Sequence, residues 1–233
     1  MREGGQKCVV AITVALAWAA ASLCGCDRRE AADHGNRAKE SNSSEKFNDL
    51  PRECFQGVEP TLMNVVGNLY SQQRKDSGKA PEESSISPNF REGSCEVEFT
   101  ATSSGRAVPV GETYEYKINV EYVVSLGGGN SVDDARRRFS LLNYGVSDTQ
   151  VRSEEGIGDE AVSWWKSGQA NQKVRLSNLS VKVTTSSSRM VNESVSSLGK
   201  LVFSNDDPDP STRQRLESDA RTLAVAFTKW LGK

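Results

Sequence analysis

The chain has 233 residues, which is enough for one folded domain with additional segments at its ends. Its 29 basic and 31 acidic side chains give a net charge of −2, and no lysine and arginine cluster is interleaved with aromatic residues. This balance argues against a nucleic-acid partner, because phosphates are bound by strongly basic surfaces.

The first 25 residues have the layout of an export signal. Arg2 and Lys7 form a basic start, and an uncharged apolar run follows over residues 8–23. That run is shorter than the roughly 20 residues that a membrane-spanning helix needs. We therefore predict a signal peptide over residues 1–25.

The end of this signal is similar to a bacterial lipobox, with Leu23 at its first position and Gly25 directly before the acceptor Cys26. The resemblance implies that a diacylglycerol is added to the thiolate of Cys26 and that the chain is cut before it. Two acyl chains give durable membrane anchoring. We therefore expect the mature protein on the outer face of the plasma membrane. The alternative is ordinary secretion with Cys26 as an unpaired thiol.

Residues 26–50 are charged and small, so they cannot bury enough apolar surface to fold. We predict that they form a lipidated, disordered tether, and that residues 51–233 form a single globular domain. Cys8 and Cys24 leave with the signal, so Cys54 and Cys95 remain as a pair in an oxidising compartment. A disulfide between them is the expected state, and two free thiols or half of a metal site are the alternatives.

The first half of the domain shows both helical and strand periodicity. Apolar residues at helical spacing predict a helix over residues 59–73, and the polar stretch 74–93 is typical of a loop. Residues 95–101 and 113–124 alternate between apolar and polar side chains, the pattern of antiparallel strands with one buried face. A second helix is predicted over residues 131–142.

This second helix carries Arg136, Arg137 and Arg138 on its polar side. Such a triplet is usually a solvated helix face. The alternative is a contact with an anionic headgroup or a wall polymer.

The second half of the domain is predicted to contain three strands and a helix. Residues 160–165 form one strand, and 173–176 and 179–184 form a hairpin across a two-residue turn, because the parity of the apolar residues changes there. Residues 185–210 are expected to be a long loop with one short element, and residues 211–231 carry the longest apolar stripe of a helix.

The predicted fold class is therefore α+β. We expect one antiparallel sheet of about five strands with helices packed on one face, in the order α-β-β-α-β-β-β-α.

The sequence contains little that points to catalysis. Its one histidine, His34, lies in the tether, so no catalytic residues, metal ligands or cofactors are assigned. A carboxylate set precedes the pair Trp164 and Trp165 and could suggest glycan hydrolysis; it consists of Glu154, Glu155, Asp159 and Glu160. We disfavour that hypothesis and predict instead that Trp164 or Trp165 contributes to a binding surface, since adjacent strand residues point to opposite faces.

Several features together resemble a known family. They include the lipobox, the polar tether, Cys54 before the first helix, Cys95 opening a strand, and the segment Gly-Ile-Gly-Asp-Glu-Ala at residues 156–161. The hairpin at residues 174–183 and the terminal helix complete the set. The chain resembles a large actinobacterial family of small cell-envelope lipoproteins of unknown function and, more distantly, the extracellular sensor domains of receptor-type kinases. The resemblance implies an extracytoplasmic, non-enzymatic role.

The hypothesis that follows is a membrane-anchored, non-enzymatic ligand-binding or interaction module of the cell envelope. Its expected partners are the membrane, through the lipid anchor, and an unidentified protein, lipid or wall-glycan ligand. A structural or sensory accessory of an envelope complex is the alternative, and an envelope hydrolase is disfavoured.

Overall fold

A computed structural model of the chain describes residues 46–71, 73–102, 112–127, 130–141, 150–192, 201–203 and 209–233. The chain divides into two compact units, residues 1–41 and 42–233, and all described residues belong to the second. The predicted signal peptide, Cys26 and most of the tether lie outside the described residues.

The described residues form three α-helices and nine β-strands. The helices are α1 (Glu59–Val66), α2 (Ser131–Leu141) and α3 (Pro210–Leu231). The strands are β1 (Gln73–Asp76), β2 (Glu82–Ser87), β3 (Phe90–Thr102), β4 (Glu112–Ser125), β5 (Arg152–Ser153), β6 (Glu160–Lys166), β7 (Gln169–Leu176), β8 (Leu179–Asn192) and β9 (Leu201–Phe203).

All nine strands belong to one antiparallel sheet in the order β1-β3-β4-β8-β7-β6-β5. β2 pairs with β3 beyond β1, and β9 pairs with the end of β8. The three longest strands, β3, β4 and β8, lie side by side, and Cys95, Val120 and Val183 stand opposite one another across them. These strands carry the apolar alternation that the sequence analysis identified.

The α+β class and the single antiparallel sheet are confirmed, but the strand count and element order differ from the prediction. β1 and β2 lie in the segment predicted as a loop, and β8 continues through residues 185–192, which were also assigned to a loop. Both segments are polar, so they carry no apolar alternation. They form strands because their backbone groups pair with β3 and β4: β1 and β2 pair with the side of β3 that faces away from β4, and β8 pairs with the other side of β4.

The prediction that all helices pack on one face is wrong. On the face that we call the core face, the hydroxyl of Tyr116 donates to Asp219 of α3 at 2.7 Å, and the hydroxyl of Thr185 donates to the carbonyl of Leu216 at 2.9 Å. α2 lies on the opposite, outer face, where Lys173 donates to the carbonyl of Phe139 at 2.7 Å. The apolar stripe of α2 did not indicate which face it would cover.

The main hydrophobic core lies between the core face and helices α1 and α3. Phe227 of α3 is its centre: its ring lies 6.2 Å from that of Tyr122, 6.4 Å from Phe55 and 6.1 Å from Trp230. Burying a side chain of this size stabilises the folded state by about 1.5–3 kcal/mol of transfer free energy. The predicted C-terminal helix is therefore confirmed in both its position and its buried stripe.

The predicted disulfide is present. Cys54 and Cys95 are bonded, with their Cα atoms 5.6 Å apart, and both residues are buried. The bond attaches the segment before α1 to the middle of β3. It therefore holds the N-terminal helix against the core face.

Two turns have local causes in the sequence. Gly156 and Gly158 have φ angles of 76° and 62°, and a Cβ on Gly158 would lie 2.5 Å from Val174, so this loop needs glycine there. In the β7–β8 hairpin, Asn178 is fully buried and accepts hydrogen bonds from the backbone N–H groups of Lys46 and Phe47. Its amide nitrogen also donates to the carbonyls of Phe47 and Ser125, so Asn178 fixes the segment around Phe47 to the end of β4.

Candidate functional site

The two tryptophans predicted to contribute to a binding surface lie on opposite faces of β6. Trp164 is on the outer face and only 6% exposed, whereas Trp165 is half-buried on the core-face side. The guanidinium of Arg213 lies 5.0 Å from the centre of the Trp165 ring. The structure therefore does not combine the two rings in one surface, and only Trp164 lies on the same face as α2.

The carboxylates before these tryptophans are distributed among separate ion pairs. Glu154 contacts Ser163 and Arg221, while Asp159 and Glu160 both contact Arg175. Glu160 also pairs with Arg136 of α2. Glu155 is exposed. Glu154, Asp159 and Glu160 are therefore part of the contacts that hold β6, β7 and the helices together.

The arginine triplet of α2 is also engaged within the domain. Arg136 pairs with Glu160, Arg137 pairs with Asp134, and the guanidinium of Arg138 lies 4.0 Å from the centre of the Phe90 ring. Each arginine therefore has a partner, which favours the interpretation of a helix face that packs and is solvated.

A cleft of about 320 Å³ lies on the outer face. We call it the Lys173 cleft. It combines a tryptophan ring with hydroxyl, amide, ammonium and carboxylate groups from five strands. Its lining residues are Ser84, Glu92, Gly93, Ser94, Asn119, Glu121, Tyr122, Val123, Trp164, Lys173, Ser180 and Lys182.

Lys173 is the unusual residue of this cleft, because it is only 1% exposed. A lysine is almost never fully buried unless it is paired with an opposite charge. Among the described residues, no carboxylate lies within ion-pair distance of its Nζ, which donates to the Phe139 carbonyl at 2.7 Å and lies 4.4 Å from the Phe139 ring centre. Lys173 therefore helps to fix the C-terminal turn of α2 on the sheet.

Burial and, to a smaller extent, the neighbouring Lys182 lower the pKa of Lys173 to about 7, while Glu121 and Glu160 act in the opposite direction. Lys182 itself pairs with Glu121 at 2.9 Å. The ammonium of Lys173 thus lies next to a neutralised pair. A ligand oxygen would be a favourable partner for it.

Asn119 supplies the complementary group. Its Oδ1 is buried and has no hydrogen-bond partner among the described residues. Since an unpaired buried acceptor costs about 1–3 kcal/mol, a donor from a ligand or a water would be stabilised there. The cleft therefore offers both a donor, Lys173, and an acceptor, Asn119.

The sequence analysis missed both residues. Lys173 and Asn119 occupy the polar positions of alternating strands, which predicts exposure to solvent. Lys173 is buried where Phe139 of α2 packs on this face, and the sequence carries no signal for that docking.

The described ranges contain no group of three or more His, Cys, Asp or Glu side chains that could hold a metal ion. Among the same residues, no helix is both long and apolar enough to cross a membrane. Comparison with known proteins gives no match among family models, curated proteins or solved structures.

Proposed function

We propose that the protein is a non-enzymatic binding module of the cell envelope, lipid-anchored at Cys26, and that the Lys173 cleft holds its ligand. The observation that carries the proposal is the nearly complete burial of Lys173 without a carboxylate partner in a polar cleft. A buried and perturbed ionisable group in a cleft is typical of functional sites. The predicted signal peptide and the resemblance to a lipobox support the proposed location.

The neighbouring Arg175 shows what a purely structural buried cation needs on this face. Its side chain is 3% exposed, and it contacts Asp159 and Glu160 at 3.2 Å each, as well as the carbonyl of Ser177. Lys173 lies two residues away with comparable burial but has only a carbonyl and a ring as partners. The difference supports a role for Lys173 beyond packing.

The chemistry of the cleft favours an uncharged ligand that is rich in donors and acceptors. Lys173 offers a donor, Asn119 an acceptor, and Ser94 and Ser180 offer hydroxyl groups. The Lys182–Glu121 pair adds no net charge. Trp164 can pack against an apolar ligand face. A wall glycan with N-acetylated sugars matches this cleft, because it is an uncharged ligand rich in donors and acceptors with an apolar ring face.

Calorimetric titration with a soluble N-acetylglucosamine oligomer tests this proposal. We expect saturable binding to the purified protein and a loss of affinity of at least about tenfold, or about 1.4 kcal/mol, in Lys173→Met. Lys166→Met is the matched control, because Lys166 is exposed at the end of β6. It should bind as the unchanged protein does.

Asn119→Leu separates ligand recognition from the role of Lys173 in fixing α2. This change removes the unpaired acceptor and should weaken binding without lowering the melting temperature. Absence of saturable binding, or equal losses in Lys166→Met and Lys173→Met, would refute the assignment of a glycan to this cleft.

A further inference from the structure

A second cleft, of about 280 Å³, lies on the other side of the sheet, between α3 and strands β6 and β7. We call it the α3 cleft. Arg152, Glu154, Ser163, Gln172, Glu217 and Arg221 are the lining residues that matter for its chemistry. Its charges come from β5, the loop before β6, and α3.

The carboxylate oxygens of this cleft are already occupied. Glu154 accepts from the hydroxyl of Ser163 at 2.7 Å through one oxygen and from Nε of Arg221 at 3.1 Å through the other. Glu217 accepts from Nε of Arg213 at 3.1 Å and pairs with Nη2 of Arg152 at 2.9 Å through its second oxygen. The acceptors therefore have internal partners.

The donors, by contrast, are in excess. Gln172 is 1% exposed, and its Nε2 has no hydrogen-bond acceptor in the described part of the chain. A guanidinium has five N–H groups, and the contacts of Arg152 and Arg221 to the two glutamates use only part of them. Within the lining, the charges of Arg152 and Arg221 balance those of Glu154 and Glu217, so the cleft carries spare N–H donors without excess charge.

An excess of N–H donors, two of them on guanidinium groups, is the complement of an oxyanion. Arginine binds carboxylate and phosphate groups through paired N–H groups, and a buried amide donor gains most from a charged acceptor. We propose that the α3 cleft is a second ligand site, which binds a carboxylate or phosphate group between Arg152, Arg221 and Gln172. The two clefts share only Trp164 among their lining residues.

Titration of the purified protein with inorganic phosphate and, separately, with acetate tests the proposal and distinguishes the two sources of an oxyanion. We expect saturable binding of at least one of them. Arg221→Gln should weaken it by about tenfold or more. Arg215→Gln is the matched control, since Arg215 and Arg221 are both 51% exposed on α3 and each pairs with one carboxylate.

Gln172→Leu provides a second, uncharged variant. It removes the unpaired amide and keeps the side-chain length similar, so it should weaken anion binding while the melting temperature is retained or raised. Two results would overturn the proposal: no saturable binding of either anion, or equal weakening by Arg215→Gln and Arg221→Gln, which would indicate only a general charge effect.

Discussion

Two cations of β7, Lys173 and Arg175, lie side by side on the outer face of the sheet, and both are almost fully buried. Arg175 has two carboxylate partners, so its charge is balanced within the domain. Lys173 has a carbonyl and an aromatic ring instead. The unfolded chain therefore holds the proton of Lys173 more tightly than the folded domain does.

This difference predicts how stability depends on pH. Burial lowers the pKa of Lys173 to about 7 in the folded state, and its ordinary value is 10.5. Below pH 7 both states carry the proton and the full cost of burying the charge is present. Between pH 7 and 9 only the unfolded state keeps it, so the free energy of unfolding should rise by up to about 1.4 kcal/mol per pH unit.

Urea denaturation at several pH values between 6 and 9 measures this slope. Lys173→Met should remove the contribution, whereas Lys166→Met should keep it. The charged neighbours Lys182, Glu121 and Glu160 remain in both variants. An identical slope in Lys173→Met and the unchanged protein would show that Lys173 does not titrate in this range.

Sequence reasoning could place Trp164 and Trp165 on opposite faces, because strand geometry alone requires it. It could not identify Lys173 or Asn119, because their burial depends on contacts from distant segments. Phe139, which accepts the hydrogen bond of Lys173, is 34 positions earlier in the chain. No local pattern reports such a contact.

At the scale of elements, the segments with strong periodicity were predicted well and the polar ones were missed. α3 and the β7–β8 hairpin follow from their apolar spacing. The pairing of Leu176 with Leu179 agrees with the predicted two-residue turn between β7 and β8. α1 is shorter than predicted because Gly67, with a φ angle of 60°, ends it before a single 3₁₀ segment. β1 and β2 have no apolar alternation and depend on β3 for their backbone partners.

The packing of α3 predicts a large effect for one core substitution. Phe227→Ala should lower the free energy of unfolding by about 3–5 kcal/mol, because it removes a ring that contacts Phe55, Tyr122 and Trp230 and leaves a cavity. Chemical denaturation measures the loss. Lys229→Ala, at an exposed position of the same helix, should change it by less than about 0.5 kcal/mol. Equal effects of the two changes would contradict this account of the core.

The disulfide predicts a second effect on stability. Cys54 and Cys95 are 41 positions apart, and in the chain-entropy model a closed loop of this size contributes about 4 kcal/mol. The double variant Cys54→Ser and Cys95→Ser should lose about that amount in denaturation experiments. Thiol alkylation of the unfolded, unreduced protein should label neither cysteine, and quantitative labelling of both would refute the bond.

At the scale of the whole molecule, the fold class was predictable, but the side of the sheet covered by α2 was not. The class follows from the long alternating strands β3, β4 and β8. The position of α2 depends on Phe139 and Ala135 becoming buried against the outer face. Helices therefore cover both faces of the sheet, whereas the Lys173 cleft beside α2 is lined by strand residues.

The proposed location of the protein depends on Cys26, which lies outside the described residues. Cys26→Ala should release the protein into the medium or leave an uncleaved precursor in the membrane, because no thiolate remains to receive the diacylglycerol. Fractionation followed by immunoblotting distinguishes these products from the anchored protein. An intact mass of the unchanged protein that shows an unmodified Cys26 would contradict the anchor.

The most direct test of the central claim is a map of backbone amide chemical shifts during titration of the purified protein with a soluble N-acetylglucosamine oligomer. If the Lys173 cleft binds the ligand, the largest shifts should cluster at Ser94, Asn119, Trp164, Lys173 and Ser180, and Asn119→Leu should reduce them at the same oligomer concentration. Shifts confined to other surfaces, or no shifts at saturating oligomer, would contradict the account.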